Sequence, residues 1–266
     1  MAAKTDLDKA PCDIRIGTSG FSFDDWRGSF YPRDLPKSKL LEYYAGTFKT
    51  VEINATYYGI PRPAVAESMV ARTEPTFDFM VKTHASFTHS RNMSQIQRES
   101  FMAAISPFVQ AGRLSGVLAQ FPFSFKYNTT NLDYLLRGCE QFERQRFYVE
   151  FRHDSWYQRQ VYYRLKDAGA RWVSVDLPKM AHLPEPHALC TTDTAYVRLH
   201  GRNAESWYGG GDRRYDYGYS PEELQEWRDK IEKLRPRAKK VYVFFNNCYR
   251  GQAVKNAKEL MKLFGI

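Results

Sequence analysis

The sequence predicts an α/β protein that folds as a single-domain (β/α)8 TIM-like barrel, and three observations support this prediction. Eight short runs rich in β-branched and aromatic residues recur along the 266 residues, and helical patterns occupy most of the gaps between them. Eight strand-helix units over about 250 residues are typical of such a barrel. The glycine-rich turn expected of a dinucleotide-binding open sheet is absent. A closed barrel is therefore favoured over a doubly wound sheet.

The predicted strands share a short apolar core bounded by turn residues. They cover residues 14–18, 50–56, 77–82, 116–121, 146–151, 171–176, 195–200 and 241–246. The helical patterns between and after them cover residues 37–48, 63–71, 94–111, 130–142, 156–168, 221–234 and 253–264. Ser220 and Glu223 form a capping box that predicts where the seventh strand's helix begins, and Gly265 is a C-cap for the last helix.

One crossover and the N-terminus depart from this regular pattern. The segment between strands six and seven contains Pro178, Pro184 and Pro186, so we expect an irregular connection there rather than a helix. Residues 1–12 carry no periodic pattern and are expected to form a flexible tail. No linker or repeat divides the rest, which we assign to one barrel domain over residues 13–266.

Composition and charge narrow the class of protein. The net charge of +9 comes from 39 Lys and Arg against 30 Asp and Glu, and the basic residues are dispersed, which favours a solvated surface over a nucleic-acid patch. No apolar run is long enough to span a membrane, and no secretory leader is recognised. Four scattered cysteines without a CxxC pair favour the reducing cytoplasm. The sequence carries no cofactor fingerprint, and it leaves the cofactor and the oligomeric state unknown.

Polar residues gather toward the C-terminal ends of the predicted strands, where barrel enzymes build their active sites. Side chains alternate between the two faces of a strand, and this alternation turns one set of polar groups inward. The set comprises Glu52, Asn54, Lys82, Gln120, Glu150, Arg152, Ser174, Asp176, Arg198, His200 and Asn246. Isolated buried charges are costly, so the three acids and three cations must pair, stay hydrated or hold a ligand. An internal ion-pair network that only closes the barrel is the structural alternative.

Six motifs occur in order along the chain: IGTSGFSFDDWRGSFYP, VEINATYYGIP, FMVKTHASFTH, VEFRHDSW, YVRLHGR and VYVFFNN. In these motifs the chain resembles the family called domain of unknown function 72, whose members are often labelled YecE-like. The resemblance runs from about residue 14 to the C-terminus and implies a TIM-barrel fold, but it supplies no reaction. Many members carry Trp-Ser-Tyr where this chain has Phe21-Ser22-Phe23, which removes a hydroxyl donor.

The first functional hypothesis is an enzyme that acts on an anionic, for example phosphorylated, small molecule by general acid/base chemistry. Arg152 and Arg198 have the fork geometry that binds phosphate or carboxylate, and the backbone N–H groups of residues 17–20 can complete an anion nest. Either Glu52 or Glu150 is the expected base, with Lys82 or His200 as acid or electrostatic partner. The residues assigned to ligand binding are Gly17, Ser19, Gly20, Asn54, Tyr57, Gln120, Arg152, Asp176, Arg198 and Asn246.

Two alternatives use the same barrel mouth. A divalent-metal hydrolase or isomerase would draw its ligands from Glu52, His84, Glu150, Asp176 and His200. No HxH or HExxH signature is present, and three cations share the site, so no metal ligand is assigned. Histidines 89, 153, 182 and 187 lie on predicted loops and show no ligand spacing. Lys82 is alternatively a Schiff-base nucleophile, because a desolvated lysine can attack a carbonyl.

The last alternative is a non-enzymatic protein that binds nucleic acid. Residues 201–219 interleave Arg with Tyr and Trp, as base-stacking surfaces do. The same segment follows strand seven and contains three consecutive glycines, at 209–211, so it also suits a lid over the barrel mouth. We favour the lid and expect a small anionic ligand as the partner.

Overall fold

Eight parallel strands form the barrel in the computed structural model, which describes residues 12–142 and 145–266. The strands are β1 Asp13–Thr18, β2 Thr50–Ile53, β3 Asp78–Lys82, β4 Leu114–Gln120, β5 Phe147–Glu150, β6 Arg171–Asp176, β7 Thr194–Leu199 and β8 Lys240–Phe245. Their order is β1-β8-β7-β6-β5-β4-β3-β2. A parallel bridge between Ser19 and Glu52 joins the first and last strands of this order, and the Gly20 N–H donates to the Glu52 carbonyl at 2.8 Å. The predicted (β/α)8 barrel is confirmed.

The α-helices lie between the strands and after the last strand. Within the described residues they are α1 Leu40–Ala45, α2 Ala55–Tyr58, α3 Pro63–Ala71, α4 Ala85–Thr88, α5 Gln95–Gln110, α6 Thr129–Phe142, α7 Arg159–Asp167, α8 Pro221–Glu232 and α9 Gln252–Phe264. The two four-residue helices α2 and α4, which follow β2 and β3 closely, were not predicted. None of the helices in the described residues has the length and apolar character needed to cross a membrane.

The predicted start, stop and crossover signals correspond to the observed ends. Ser220 accepts the N–H of Glu223 at 3.3 Å and donates its own N–H to the Glu223 carboxylate at 2.9 Å, which is the predicted capping box. Gly265 ends α9 with a left-handed φ of 70°. The connection between β6 and β7, residues 177–193, contains no helix, as its prolines predict. Residues 1–11 of the predicted tail lie outside the described residues.

The barrel interior and the layer between barrel and helices are separate apolar clusters. The interior is filled by Met80, Leu118, Tyr148, Val173, Val175, Leu177, Tyr196, Tyr242 and Phe244, with Leu183 and Trp207 at its edge. The outer layer contains the alternate strand residues, such as Val51, Phe79 and Val243, packed against the helices. Charged and amide side chains lie above this apolar interior, at the C-terminal ends of the strands. The polar site is therefore at the mouth of the barrel.

The side chains of β6 point to the opposite faces from those predicted. Val173 and Val175 fill the interior, whereas the predicted inward residues Ser174 and Asp176 face the outer layer. Trp172 shares their face, and its indole packs 5.3 Å from the Phe151 ring in the outer layer. An indole fits the space between strand and helices, so the strand is oriented by its largest side chain rather than by its polar ones.

Candidate active site

A buried ion-pair cluster lies at the centre of the barrel mouth. Arg198 on β7 forms a bidentate pair with Glu52 on β2, with Nε–Oε2 and Nη2–Oε1 distances of 2.8 and 2.6 Å. Its remaining nitrogen Nη1 donates to Glu150 on β5 at 2.5 Å. Arg198 is 2% exposed and both glutamates are fully buried. One guanidinium therefore pairs with carboxylates from two different strands and has no donor nitrogen left without a carboxylate partner.

Both carboxylates accept hydrogen bonds at each of their two oxygens. Glu52 also accepts from the Tyr196 hydroxyl and from Asn54 Nδ2 at 2.9 Å, and Glu150 accepts from Arg152 Nε at 2.5 Å. Burial raises the pKa of each glutamate, but nearby arginine charge outweighs it, so the pKa of Glu52 lies below its usual value and that of Glu150 lies well below. Both groups stay ionised at neutral pH.

His200 is fully buried beside this cluster and is neutral. Asn246 Nδ2 donates to its Nδ1 at 2.9 Å, which leaves the proton on Nε2, 3.3 Å from Glu150 Oε1. Burial, together with the charge of Arg152, lowers the pKa of His200 to about 3. The imidazole therefore donates a hydrogen bond to Glu150 without carrying a charge.

Lys82 differs from Arg152 and Arg198, the arginines beside it, because it forms no ion pair with a carboxylate of the described residues. Its Nζ donates to Gln120 Oε1 at 2.9 Å and lies 4.3 Å from the centre of the Tyr57 ring. Gln120 is held in turn by its own amide, which donates to the Phe121 carbonyl at 2.9 Å. Burial, reinforced by the charge of Arg198, lowers the pKa of Lys82 to about 7, although Glu150 and Glu52 act in the opposite direction.

A cavity of about 410 Å³ opens at this mouth. The predicted site residues that line it are Ser19, Asn54, Tyr57, Lys82, Gln120, Arg152, Arg198 and Asn246. The predicted catalytic residues Glu52, Glu150 and His200 do not line it; they are buried behind its wall and contact it through Arg152, Arg198 and Asn246. Of the four side chains predicted to be catalytic, Lys82 is thus the one that faces the cavity.

The predicted anion nest after β1 does not form, because its N–H groups are already used. The N–H of Thr18 donates to the Tyr44 hydroxyl at 2.9 Å, that of Ser19 to the Phe245 carbonyl at 2.9 Å, and that of Gly20 to Glu52. A side chain on Gly17 would lie 2.4 Å from the Thr50 carbonyl oxygen. Gly17 and Gly20 therefore allow the barrel to close, and of the three predicted residues in this loop only Ser19 lines the cavity.

Asp176 and His84, two further predicted ligands, also lie apart from the central cluster. Asp176 accepts from Arg202 Nε at 3.0 and 3.1 Å in the outer layer, where Arg202 also pairs with Glu223 and Glu226. His84 Nδ1 accepts the N–H of Ser86 at the start of α4. Of the five proposed metal ligands, Glu52, Glu150 and His200 lie in the central cluster, where arginine occupies the two carboxylates, and Asp176 and His84 lie outside it.

A second compartment of about 290 Å³ adjoins the cavity and contains residues that the sequence analysis did not select. His89, Phe123, Trp207, Tyr208, Arg214 and Tyr215 are among those that line it. His89 reaches the site because α4 turns the chain back after β3, and its ring lies 5.0 Å from that of Tyr57. Its place in the FMVKTHASFTH motif was the available signal. The Trp207–Tyr215 stretch belongs to the predicted lid segment, which forms a wall of the mouth.

Three groups that can bind a metal ion lie together on another part of the loops. Asp154 Oδ1 is 3.1 Å from His153 Nδ1, and its Oδ2 is 3.4 Å from His182 Nδ1. The sequence shows no ligand spacing between the two histidines, because His153 follows β5 whereas His182 belongs to the irregular crossover after β6. None of the three lines the cavity that contains Lys82.

The fold and the mouth together define a (β/α)8 barrel whose buried ion pairs support a polar cavity at the carboxyl ends of its strands. Over residues 15–266 the chain matches the family described as "Protein of unknown function DUF72", and it belongs to that family. The resemblance inferred from the six motifs is confirmed.

Relatives and solved structures agree with this assignment. The chain is 32% identical over 272 residues to the UPF0759 protein YunF of Bacillus subtilis (strain 168), with 95% of each protein covered. A DUF72 family protein from Thermotoga maritima MSB8 shares 41% identity and a TM-score of 0.89, covering 96% of this chain and 100% of that one. A DUF72 family protein from Enterococcus faecalis V583 shares 27% identity and a TM-score of 0.85, covering 95% and 96%.

Proposed function

We propose that this protein is an enzyme that acts on an anionic small molecule by acid–base chemistry centred on Lys82. One observation carries the proposal: Lys82 faces the cavity without a carboxylate partner, whereas the neighbouring arginines are paired. A cation left unpaired in a desolvated site is unfavourable unless a ligand supplies the opposite charge. An anionic substrate is the partner with that charge.

The pKa of Lys82 suits proton transfer near neutral pH. A general acid or base works best when its pKa lies near the working pH, because both protonation states are then populated. The pKa of Lys82 is lowered to about 7 by burial and by the charge of Arg198. Lys82 therefore accepts and returns a proton in this proposal, and the hydrogen bond to Gln120 orients its Nζ.

The buried glutamates receive a different role from the one expected from the sequence. Every carboxylate oxygen of Glu52 and Glu150 accepts at least one hydrogen bond, and neither side chain lines the cavity. A general base must come within hydrogen-bond reach of the proton that it removes. We therefore assign Glu52 and Glu150 as positioning residues that hold Arg198 and Arg152 and oppose their charge.

Arg152 is the second group that we assign to the substrate anion. Its Nε is held by Glu150, its Nη2 lies 3.3 Å from the His200 ring, and the side chain is 13% exposed at the cavity. A guanidinium that is anchored through one nitrogen can still donate from the remaining N–H groups to a phosphate or carboxylate oxygen. Arg198, in contrast, already has its donors on two glutamates and cannot bind a second anion in the same way.

The alternatives of the sequence analysis receive less support. The five proposed metal ligands do not converge on one point, because Asp176 and His84 lie outside the central cluster, and the oxygen atoms of Glu52, Glu150 and Asp176 are occupied by arginine. In the segment proposed for stacking on nucleic acid, Trp207 and Tyr219 are buried. The Schiff-base hypothesis uses the same lysine, and reduction with borohydride in the presence of a carbonyl compound, followed by mass spectrometry of Lys82, distinguishes it from proton transfer.

Binding of an anion whose own charge is constant tests the proposal without a known substrate. Sulfate and tartrate keep their charge between pH 6 and 9, and calorimetry measures their dissociation constants. We expect wild-type affinity to fall by up to about tenfold per pH unit above 7, as Lys82 loses its proton. Lys82→Arg should retain its affinity to pH 9, and Lys82→Met should bind weakly throughout.

The control is Lys49→Met, which removes an exposed lysine outside the cavity and should bind like the wild type. Turnover is then sought by NMR with anionic hydroxy and keto compounds in D2O, where a product or deuterium incorporation should require Lys82. Equal pH dependence in the wild type and Lys82→Met, with no compound changed by the wild type, would contradict the proposal.

A further inference from the structure

The two compartments of the mouth are continuous and share a boundary. Tyr57, Tyr58, Lys82, Gln120, Arg152 and Tyr215 line both the cavity of about 410 Å³ and the adjoining compartment of about 290 Å³. Lys82 and Arg152, which the proposed function assigns to the substrate anion, therefore stand between two spaces. Each volume is in or near the range of small-molecule sites, so a ligand at this boundary can extend into both.

The two compartments differ in charge. The smaller one is lined by Lys82, Arg152 and Arg214, and no carboxylate is among its lining residues in the described chain. The larger one shares Lys82 and Arg152 and lacks Arg214; its third cation is Arg198, which is already paired with two glutamates, and it contains the carboxylates of Asp25 and Asp212. An anionic group is attracted by the first environment and repelled by the two aspartates of the second, so its favourable position is the smaller compartment.

The larger compartment instead offers acceptors for hydroxyl groups. Asp212 makes no hydrogen bond or ion pair with the described residues, and Asp25 uses one oxygen to accept the Arg250 N–H at 2.7 Å. Carboxylate oxygens accept hydrogen bonds from hydroxyls, and a ligand rich in hydroxyls would satisfy both aspartates at once.

Aromatic side chains form a wall of the smaller compartment and pack against Arg152. Trp207 is 5% exposed, and the Arg152 guanidinium lies 5.6 Å from the centre of its ring. The rings of Phe123 and Tyr208 meet edge to face at 6.1 Å beside it. These groups exclude water from one side of Arg152, which strengthens its attraction for an anionic oxygen.

From this division we infer that the ligand is a polyhydroxylated anion, a sugar phosphate or sugar acid, with its charged group at Lys82, Arg152 and Arg214 and its hydroxyls toward Asp25 and Asp212. The inference rests on the proposed function and adds the substrate class and its orientation. Lys82 then lies at the junction between the charged group and the hydroxyl-bearing carbon chain, where it can exchange a proton with that chain.

Calorimetry with a defined set of compounds tests the substrate class. The charged polyols are erythrose 4-phosphate, ribose 5-phosphate, glucose 6-phosphate, gluconate and glucuronate, and the comparison compounds are inorganic phosphate, phenyl phosphate, acetate, ribose and glucose. We expect at least one charged polyol to bind ten-fold or more tightly than both the simple anion with its charged group and the neutral sugar. Quenching of tryptophan fluorescence through Trp207 gives an independent reading of the same binding.

Two pairs of variants test the orientation. Arg214→Ala should weaken binding of the sugar phosphate and of inorganic phosphate alike, whereas Arg213→Ala, next to it but outside the compartment, should not. Asp212→Asn should weaken binding of the sugar phosphate about ten-fold and leave inorganic phosphate unchanged or slightly tighter. Glu205→Gln removes an exposed charge from the same segment without facing either compartment, and it is the control.

The outcomes separate this inference from the proposed function. If phosphate or phenyl phosphate binds in a Lys82-dependent way and no polyol binds more tightly, the substrate class is wrong and the proposed acid–base site stands. If Asp212→Asn and Glu205→Gln behave alike, the orientation is wrong. If no anion binds in a Lys82-dependent way, both the inference and the proposed function are overturned.

Discussion

Two cations at the same barrel mouth, Arg198 and Lys82, have opposite surroundings. Arg198 donates to both Glu52 and Glu150 through three nitrogens, and those charges hold its pKa well above the usual value even though burial alone would lower it. Lys82 has an amide oxygen and an aromatic ring as partners, and burial lowers its pKa to about 7. Both side chains come from the C-terminal ends of their strands, so position in the barrel does not explain the difference.

The difference indicates which charged group is structural and which is available for chemistry. A guanidinium that is matched by two carboxylates completes the barrel interior and has no further need of a ligand. An amine with neutral partners is poised to change its protonation state or to accept an anion. Substitution of these side chains tests the contrast.

The largest expected effect is on stability, from Arg198→Met. The substitution leaves two fully buried carboxylates without their shared cation, and removal of one partner of a buried ion pair typically costs about 3–5 kcal/mol. Urea denaturation at pH 7 measures the free energy of unfolding. A loss below about 1 kcal/mol would contradict the structural role that we assign to Arg198.

A smaller loss is expected from Arg202→Met in the outer layer. Burial raises the pKa of Asp176 above its usual value despite Arg202, so Asp176 can take up a proton when its partner is removed. We expect a loss of about 1–3 kcal/mol in the free energy of unfolding, with sulfate binding unchanged. Altered sulfate affinity in this variant would show that the outer cluster is coupled to the mouth.

These two clusters also show how far the sequence predicts the site. Strand positions and inward alternation placed Glu52, Lys82, Glu150 and Arg198 correctly at the mouth, because period-2 patterns in buried strands are strong signals. The same alternation predicts that Ser174 and Asp176 face inward, which is wrong. Trp172 lies on the same face of β6, and its indole fits only the outer layer. The partner of Asp176 is Arg202, which lies on a loop, and a strand or helix period does not predict the position of a loop residue.

The functional roles were harder to predict than the positions. Residue type suggested that Glu52 or Glu150 is a base, but their availability depends on how many donors surround each oxygen, which is a property of the packed structure. The short helix α4, which returns His89 to the mouth, has only four residues and no amphipathic pattern. The sequence is therefore sufficient to locate the barrel and its polar face. The role of each residue on that face depends on side-chain contacts, which only the structure shows.

The third prediction concerns Lys82→Met and the pH dependence of stability. The ordinary pKa of lysine is 10.5, and that of Lys82 is about 7 in the folded chain. Between these values the unfolded chain binds the additional proton, so the free energy of unfolding of the wild type should rise with pH relative to the variant. The expected gain is up to about 1.4 kcal/mol per pH unit, starting near pH 7.

Urea denaturation of both proteins at pH 7, 8 and 9 checks this prediction, since other titrating groups cancel in the difference. At pH 7 and below, Lys82→Met should be at least as stable as the wild type, because it lacks the unpaired buried amine. Parallel stability curves across this range would mean that Lys82 keeps an ordinary pKa.

The most direct measurement is the titration of Lys82 itself. Reductive methylation with ¹³C-formaldehyde labels the lysines for NMR, Lys82→Arg identifies the signal, and exposed lysines in the same sample serve as internal reference. We expect a midpoint near pH 7 for Lys82. A midpoint near that of the exposed lysines, about 10.4, would contradict this expectation and would leave the mouth without its proposed acid–base group.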